Sequence, residues 1–283
     1  ISEVMQTLKK LYDNGSQLEV LQSIDEFRLS VATDLMASKT FNGKMNGIRE
    51  VGKLCTEAKV GYAGVLEVKE WLDADRMIQW LRSNNVVQNI LQGQLHIREY
   101  VNGLEDIIRF LVQRSALKNE ELTSIWNAQI GQYIEVVRNV HGMLGRLASF
   151  FSPVHLAHLL SCFKHSWAEL SSASTGGKTL SDMLEFITKL AKDDTDGEMA
   201  REVCELLWVL VRDDLAPLTT VPQALNAIVD IVSLDKVTWM QRCVDEIAKG
   251  QVVVPALTLI EQLADTCSSY RTYYQIRDSE RKE

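Results

Sequence analysis

The sequence predicts an all-α protein, an armadillo- or HEAT-like α-solenoid of stacked antiparallel helix pairs. Apolar residues recur at helical three- and four-residue spacing, and no segment alternates as a strand does. Predicted helix starts fall near Pro153, Thr179, Gly197, Pro222, Lys236 and Pro255. Helix pairs would therefore recur about every 40 to 45 residues, as in HEAT and armadillo repeats.

The helical pattern is less regular before about residue 95 than after it. Upstream of Pro153, two clear apolar stripes run through Val101, Leu104, Ile107, Ile108 and Leu111, and through Ile130, Tyr133, Ile134, Val137, Leu144 and Leu147. We expect one solenoid segment over 1–283, with a less regular part over about 1–95 and clearer repeats over about 96–276.

Helix ends carry their own signals in the second half of the chain. Ser152 and Pro153 combine a capping hydroxyl with a proline that is tolerated at the first helical position. Pro222 and Pro255 are expected to open helices in the same way. Gly250 stands where a helix commonly ends in a left-handed residue.

One predicted helix has an unusually wide apolar face. Its stripe contains Met199, Val203, Leu206, Leu207 and Leu210, and an adjoining stripe contains Cys204, Trp208 and Val211. Burying five or six such side chains, at about 1.5–3 kcal/mol each, stabilises a short helix far more than its intrinsic propensity does. A helix covered on two sides, as in the interior of a stack, is therefore expected.

Composition indicates protein partners. The net charge of −8 argues against a broad surface for nucleic acid or anionic membranes, and no apolar run is long enough to span a bilayer. Five cysteines without a Cys-x-x-Cys pair are typical of reduced core thiols, so we expect a cytoplasmic protein. A start at Ile1 and an end in "RDSERKE" suggest a fragment of a larger protein.

The stretch "STGGKTL" at 174–180 resembles the end of a phosphate-binding loop. Such a loop needs a glycine five positions before the Gly-Lys pair, where this chain has Ser172, and it needs a preceding strand. The residues before it have helical spacing instead. We therefore interpret it as a connector between helices and expect no cofactor.

A row of metal-ligand types, His155, His158, Cys162 and His165, follows one side of a predicted helix. These are weak metal candidates, because four ligands strung along about 15 Å of helix cannot converge on one tetrahedral ion. The alternative is that they are half-buried polar residues beside the apolar stripe.

The acidic turn "KDDTDG" lacks calcium-loop spacing, because Lys192 and Val203 occupy positions that need carboxylates. Asp194 or Asp196 is instead expected to cap the next helix. No cysteine has the histidine and glycine-rich turn of a thiol nucleophile, so no catalytic residue is predicted.

Four residues form a weak candidate for partner binding near the end of the sequence. Tyr270, Tyr273, Tyr274 and Arg277 align on one helical face that mixes aromatic rings with positive charge. Such faces are enriched at protein interfaces. A following repeat would cover the same face, which is the structural alternative.

Four long blocks carry a family resemblance: "FNGKMNGIREVGKL" at 41–54, "YVNGLEDIIRFLVQRSALKNEELTSIWNAQIG" at 100–131, "SPVHLAHLLSCFKHSW" at 152–167 and "TKLAKDDTDGEMAREVCELLW" at 188–208. Together they resemble the N-terminal helical-repeat region of fat facets-type ubiquitin-specific proteases, which are very large deubiquitinases. The chain departs from the family pattern at "SSASTGG" (171–177) and at 234–236, where the family is expected to have additional residues.

The resemblance implies a role without catalysis. In these proteases a separate papain-like domain carries Gly-Asn-Thr-Cys and Gly-His-Tyr motifs, and neither string occurs here. The segment is then a scaffold that helps a cysteine protease recognise ubiquitinated substrates or adaptors. The alternatives are a stand-alone armadillo-like adaptor and a metal- or nucleotide-dependent enzyme that uses the histidine row or Gly177-Lys178-Thr179.

Overall fold

A computed structural model describes residues 18–59, 71–172, 177–194, 197–232, 236–250 and 252–265. Over these residues the chain forms thirteen α-helices and no strand. The helices are α1 (Leu18–Met36), α2 (Phe41–Lys59), α3 (Ala74–Ser83), α4 (Val86–Leu91), α5 (Arg98–Gln113), α6 (Asn119–Asn127), α7 (Ile134–Ala148), α8 (Pro153–Ser172), α9 (Gly177–Lys192), α10 (Glu198–Arg212), α11 (Val221–Ile231), α12 (Lys236–Ala248) and α13 (Val253–Asp265).

The chain divides into two compact units, Ile1–Leu159 and Leu160–Glu283, which we call the N-terminal and C-terminal units. In the N-terminal unit α2 packs on α1, α3 and α5, while α5 also packs on α4 and α7. In the C-terminal unit α11 packs on α9, α10 and α13. Contacts between helices two apart in the chain, such as α9 with α11, are what stacked helix pairs produce. The predicted continuity of one segment over 1–283 stays a prediction.

The wide apolar face predicted around Trp208 is confirmed. All eight of its predicted residues on α10 are buried, and Trp208 is fully enclosed. The Trp208 ring meets that of Trp239 on α12 edge-to-face, with 6.3 Å between ring centroids. Because α10 also packs on α9 and α11, it is covered on more than one side, as its composition requires.

Predicted helix ends lie close to the observed ones. Helix α8 begins at Pro153, and the Ser152 hydroxyl accepts a hydrogen bond from the His155 N–H at 3.3 Å. Helix α13 begins at Val253, two residues before the predicted start at Pro255. The first four N–H groups of a helix have no partner within it, so proline is tolerated throughout the first turn.

Two predicted caps are also confirmed. Gly250, just after α12, has a φ of 72°, the left-handed conformation that a Cβ atom disfavours. The Asp194 carboxylate accepts a hydrogen bond from the Ala200 N–H at 3.1 Å, in the first turn of α10. Both caps satisfy or redirect backbone groups that a helix end leaves unpaired.

Among the described helices, none is long and apolar enough to cross a lipid bilayer.

A buried ion cluster joins α1 to α2, in the part of the chain where the sequence pattern is least regular. The Arg28 side chain is only 1 % exposed, and its guanidinium donates to both oxygens of Glu57, at 2.5 and 3.0 Å. It also donates to Glu50 at 3.3 Å and lies 3.9 Å from the buried carboxylate of Asp25. Burial by itself lowers the pKa of Arg28, but the bonds and charges of Glu57 and Glu50 outweigh it and raise the pKa above its ordinary value.

Close approach of α1 and α2 depends on Gly47. A Cβ atom there would lie 2.6 Å from the Met36 backbone nitrogen, which cannot rotate away as a side chain can. We expect Gly47→Ala to lower the free energy of unfolding by about 1–3 kcal/mol, the usual cost of overpacking. Gly52→Ala on the same helix is the control, since its Cβ would lie 3.9 Å from the nearest neighbour. Urea unfolding should show the control unchanged or slightly stabilised; equal losses in both variants would contradict this packing.

Candidate functional site

An open groove of about 210 Å³ runs between α5 and α7 of the N-terminal unit. It is lined by Arg98, Val101, Asn102, Arg138, Asn139, Gly142 and Arg146. Three of the seven side chains are guanidinium groups, two are amides and none is a carboxylate. We call this surface the arginine groove.

The amphipathic pattern of the two helices produces the groove. On α5, Arg98 and Asn102 lie one turn apart, while the side chains that face the core include Val101, Leu104 and Ile108. On α7, Arg138, Gly142 and Arg146 follow one another at four-residue intervals, so they share one side of the helix. Packing of α5 on α7 therefore places two polar faces next to each other.

A buried carboxylate fixes one wall of the groove. The Glu105 side chain, on α5, accepts a hydrogen bond from Nε of Arg146 at 2.8 Å, and Nη2 of Arg146 lies 2.7 Å from the same oxygen. The other oxygen of Glu105 accepts from Arg109. A hydrogen bond between charged groups is stronger than a neutral one, so Arg146 is held in place before any ligand arrives. The Asn139 amide is likewise held, because it donates to the Leu95 carbonyl at 2.9 Å.

Two other arginines of the groove remain available. Arg98 and Arg138 are exposed, and neither forms an ion pair or side-chain hydrogen bond with the part of the chain that the structure describes. The amide of Asn102 likewise makes no hydrogen bond there. Arginine stays protonated at any physiological pH and donates only, so the groove can bind anions but offers no base or nucleophile.

The histidine row lies on α8 as the pattern predicted, but its members face different partners. Nε2 of His155 lies 3.1 Å from the Leu117 carbonyl, and Nε2 of His158 lies 2.8 Å from the Thr123 hydroxyl. His165 is exposed near Glu169, and Cys162 is partly buried. In the described ranges no three His, Cys, Asp or Glu side chains are arranged to hold a metal ion. His158 instead joins α8 to α6, and His155 joins α8 to Leu117, just before α6.

The remaining candidates can be placed only in part. Lys178 and Thr179 lie in the first turn of α9, after the helix α8 rather than after a strand, while 174–176 lie outside the described residues. The aromatic and basic face of Tyr270, Tyr273, Tyr274 and Arg277 also lies outside them.

We expect the buried His141, on α7, to make the stability of the N-terminal unit depend on pH. Its ring stacks on Trp126 with 6.0 Å between centroids, and burial lowers its pKa from 6.5 to about 4. Between these values the unfolded chain binds a proton that the folded chain does not, so stability is complete above about pH 6.5 and falls as the pH drops. The loss should reach up to about 3 kcal/mol.

Urea unfolding of wild type and His141→Gln at pH 7 and pH 4.5 measures this effect. The wild type should lose more stability than the variant over this interval, because glutamine does not titrate. Equal losses in the two proteins would show that other groups cause the acid sensitivity.

Comparison with known proteins decides the family. The profile of the UBP24/USP9X/USP9Y ARM repeat matches residues 22–283. The chain belongs to this family. It is 36% identical to ubiquitin carboxyl-terminal hydrolase 9X of Mus musculus, over 95% of this chain and 11% of that protein. It is 35% identical to the probable ubiquitin carboxyl-terminal hydrolase FAF of Drosophila melanogaster, over 90% of this chain and 10% of that protein.

The family confirms both the predicted fold class and the predicted resemblance. As a member of the UBP24/USP9X/USP9Y ARM-repeat family, the chain is an armadillo-type helical repeat region and not the catalytic domain of such hydrolases. The chain spans about a tenth of the length of the curated relatives that it matches.

The sequence pattern did not predict the arginine groove. The four-residue spacings of Arg98 with Asn102, and of Arg138 with Gly142 and Arg146, are visible in the sequence. On one helix such a spacing is typical of a solvated face, and only the pairing of α5 with α7 shows that the two faces meet.

Proposed function

We propose that this chain is a non-catalytic protein-interaction region of a large cysteine-type deubiquitinase, where it helps hold ubiquitinated substrates or adaptors. Support comes from its membership of the ARM-repeat family and from relatives that are ubiquitin carboxyl-terminal hydrolases. The observation that carries the proposal is the arginine groove, whose lining can bind but cannot catalyse.

The buried thiols support a cytoplasmic location for this protein. Cys55, Cys204 and Cys243 are free and buried in the helical core. Burial raises the pKa of Cys204 to about 12 and that of Cys243 to about 11, so both remain protonated and unreactive near neutral pH. Single buried thiols are typical of proteins from reducing compartments.

Site-specific photo-crosslinking in the full-length protein tests this proposal. A photoreactive amino acid is placed at Asn102, Lys189 or Gln241, which are exposed positions in the two units. During turnover of ubiquitinated proteins, at least one position should crosslink to a ubiquitin conjugate or to a recurring adaptor identified by mass spectrometry. If positions in the catalytic domain form such crosslinks and none of these three does, the segment has no part in recognition.

A further inference from the structure

We propose that the arginine groove binds an acidic peptide segment of a partner protein, with aspartate or glutamate side chains paired to Arg98, Arg138 and Arg146. This inference rests on the proposed interaction role and specifies the chemistry of one partner.

The charge of the groove is opposite to that of the whole chain. The chain has a net charge of −8, whereas the seven lining residues include three cations and no anion. Glu105 contacts Arg146 of the lining and accepts from both Arg109 and Arg146, so one negative charge is shared by two cations. Arg98 and Arg138 have no anionic partner among the described residues, so their charges are left for a ligand.

The spacing of the donors fits an extended peptide. Successive groove positions on α7 lie four residues apart, which corresponds to about 6 Å along the helix axis. Every second residue of an extended strand points to the same side, about 6.5–7 Å apart. Arg138 and Arg146 lie eight residues apart, or about 12 Å along the axis, so acidic side chains four residues apart on an extended segment, about 13–14 Å from each other, would meet them. The Asn102 amide makes no hydrogen bond with the described residues, so its NH2 donors and its oxygen acceptor are available to a peptide backbone.

A peptide fits this surface better than a nucleic acid does. Two exposed carboxylates stand close to the lining arginines in the sequence of the same helices, Glu99 beside Arg98 and Glu135 three residues before Arg138. A continuous phosphate backbone carries one charge per nucleotide and cannot be arranged to avoid such carboxylates. A short acidic segment can place its carboxylates on the arginines alone, and about 210 Å³ holds a few side chains.

The opening of the groove depends on Gly142. A Cβ atom at this position would lie 3.3 Å from Nη1 of Arg146, so a large side chain would fill the groove and displace that guanidinium. Gly145, three residues later on α7, has no neighbour within 4 Å of its Cβ position. The two glycines therefore provide a matched pair for testing the groove.

The experiment measures fluorescence anisotropy of a labelled twelve-residue peptide with glutamate at alternate positions, titrated with the full-length protein. The same peptide with glutamine in place of glutamate is the charge control. We expect the glutamate peptide to bind, the glutamine peptide to bind at least tenfold more weakly, and the affinity for glutamate to fall with added salt. Arg98→Glu/Arg138→Glu and Gly142→Leu should each weaken binding at least tenfold, whereas Gly145→Leu should change it less than twofold.

Circular dichroism melting of every variant separates lost binding from lost folding. Equal binding of the two peptides, or wild-type affinity in both the double variant and Gly142→Leu, would overturn the proposal. Tighter binding of a labelled single-stranded RNA that is lost in the same variants would overturn it in favour of a nucleic-acid site. The crosslinking experiment above is independent of these outcomes, because an interaction role through other surfaces would still yield crosslinks at Lys189 or Gln241.

Discussion

Replacing Arg28 with methionine is expected to destabilise the N-terminal unit by about 3–5 kcal/mol. The free energy of unfolding falls so far because the carboxylates of Asp25, Glu50 and Glu57 would remain at the interface of α1 and α2 without the central cation. Methionine fills much of the space of the arginine stem, so the loss reports the missing charge more than a cavity. The stability of Arg28→Lys should lie between that of the wild type and that of Arg28→Met, because lysine retains the charge but cannot bind both oxygens of Glu57.

Lys53→Met is the matched control for this experiment. Lys53 also contacts Glu50, with 3.7 Å between Nζ and Oε2, but its side chain is 58% exposed. Exposed pairs of this kind contribute at most about 1 kcal/mol, so the control should lose little stability. Urea unfolding at pH 7 compares the three variants. A loss below about 1 kcal/mol for Arg28→Met would show that the carboxylates do not depend on Arg28 for charge compensation.

Truncation of Trp208 to alanine is expected to cost about 3–5 kcal/mol in the C-terminal unit. The ring is fully buried on α10 and contacts Trp239 edge-to-face, so its removal leaves a cavity between helices that cannot close over so large a volume. A shift of the urea midpoint without a change of slope would show that stability alone has changed. A loss below about 1.5 kcal/mol would contradict a tightly packed interior at α10.

Phenylalanine variants at two tryptophans of this unit, Trp167 and Trp208, test the packing more finely. Both Trp167 and Trp208 are buried, but only the first has a described partner for its indole N–H, the Leu215 carbonyl at 3.0 Å. The Trp208 N–H has none among the described residues. Trp167→Phe should therefore cost about 1 kcal/mol more than Trp208→Phe, because it removes a hydrogen bond as well as volume. Equal costs in urea unfolding would mean that this hydrogen bond contributes nothing.

Features that depend on residues close together in the chain could be predicted from the sequence. The apolar face of α10 and the start of α8 at Pro153 follow from helical period and capping chemistry, and the structure confirms both. The left-handed Gly250 belongs to the same class. Each of these depends on interactions within one or two helical turns.

Features that depend on neighbouring helices could not be predicted in this way. Asp25 and Arg28 stand at buried positions of α1, yet a charge in a periodic pattern is normally taken to face solvent, and the compensating Glu57 lies on another helix. The short α4, Val86–Leu91, is stabilised by packing on α3, α5 and α6 rather than by its own period. The arginine groove likewise exists only once α5 and α7 lie side by side.

The most direct test compares the hydrolysis of two ubiquitin substrates by the full-length protein that carries Arg98→Glu/Arg138→Glu. One substrate is ubiquitin with a C-terminal fluorogenic amide, and the other is a ubiquitin conjugate identified by crosslinking to this segment. If the segment binds partners and does no chemistry, kcat/KM for the fluorogenic substrate stays within twofold of wild type, while KM for the conjugate rises about tenfold at unchanged kcat. A fall of kcat on both substrates would contradict the account, because it would place these residues in the catalytic step.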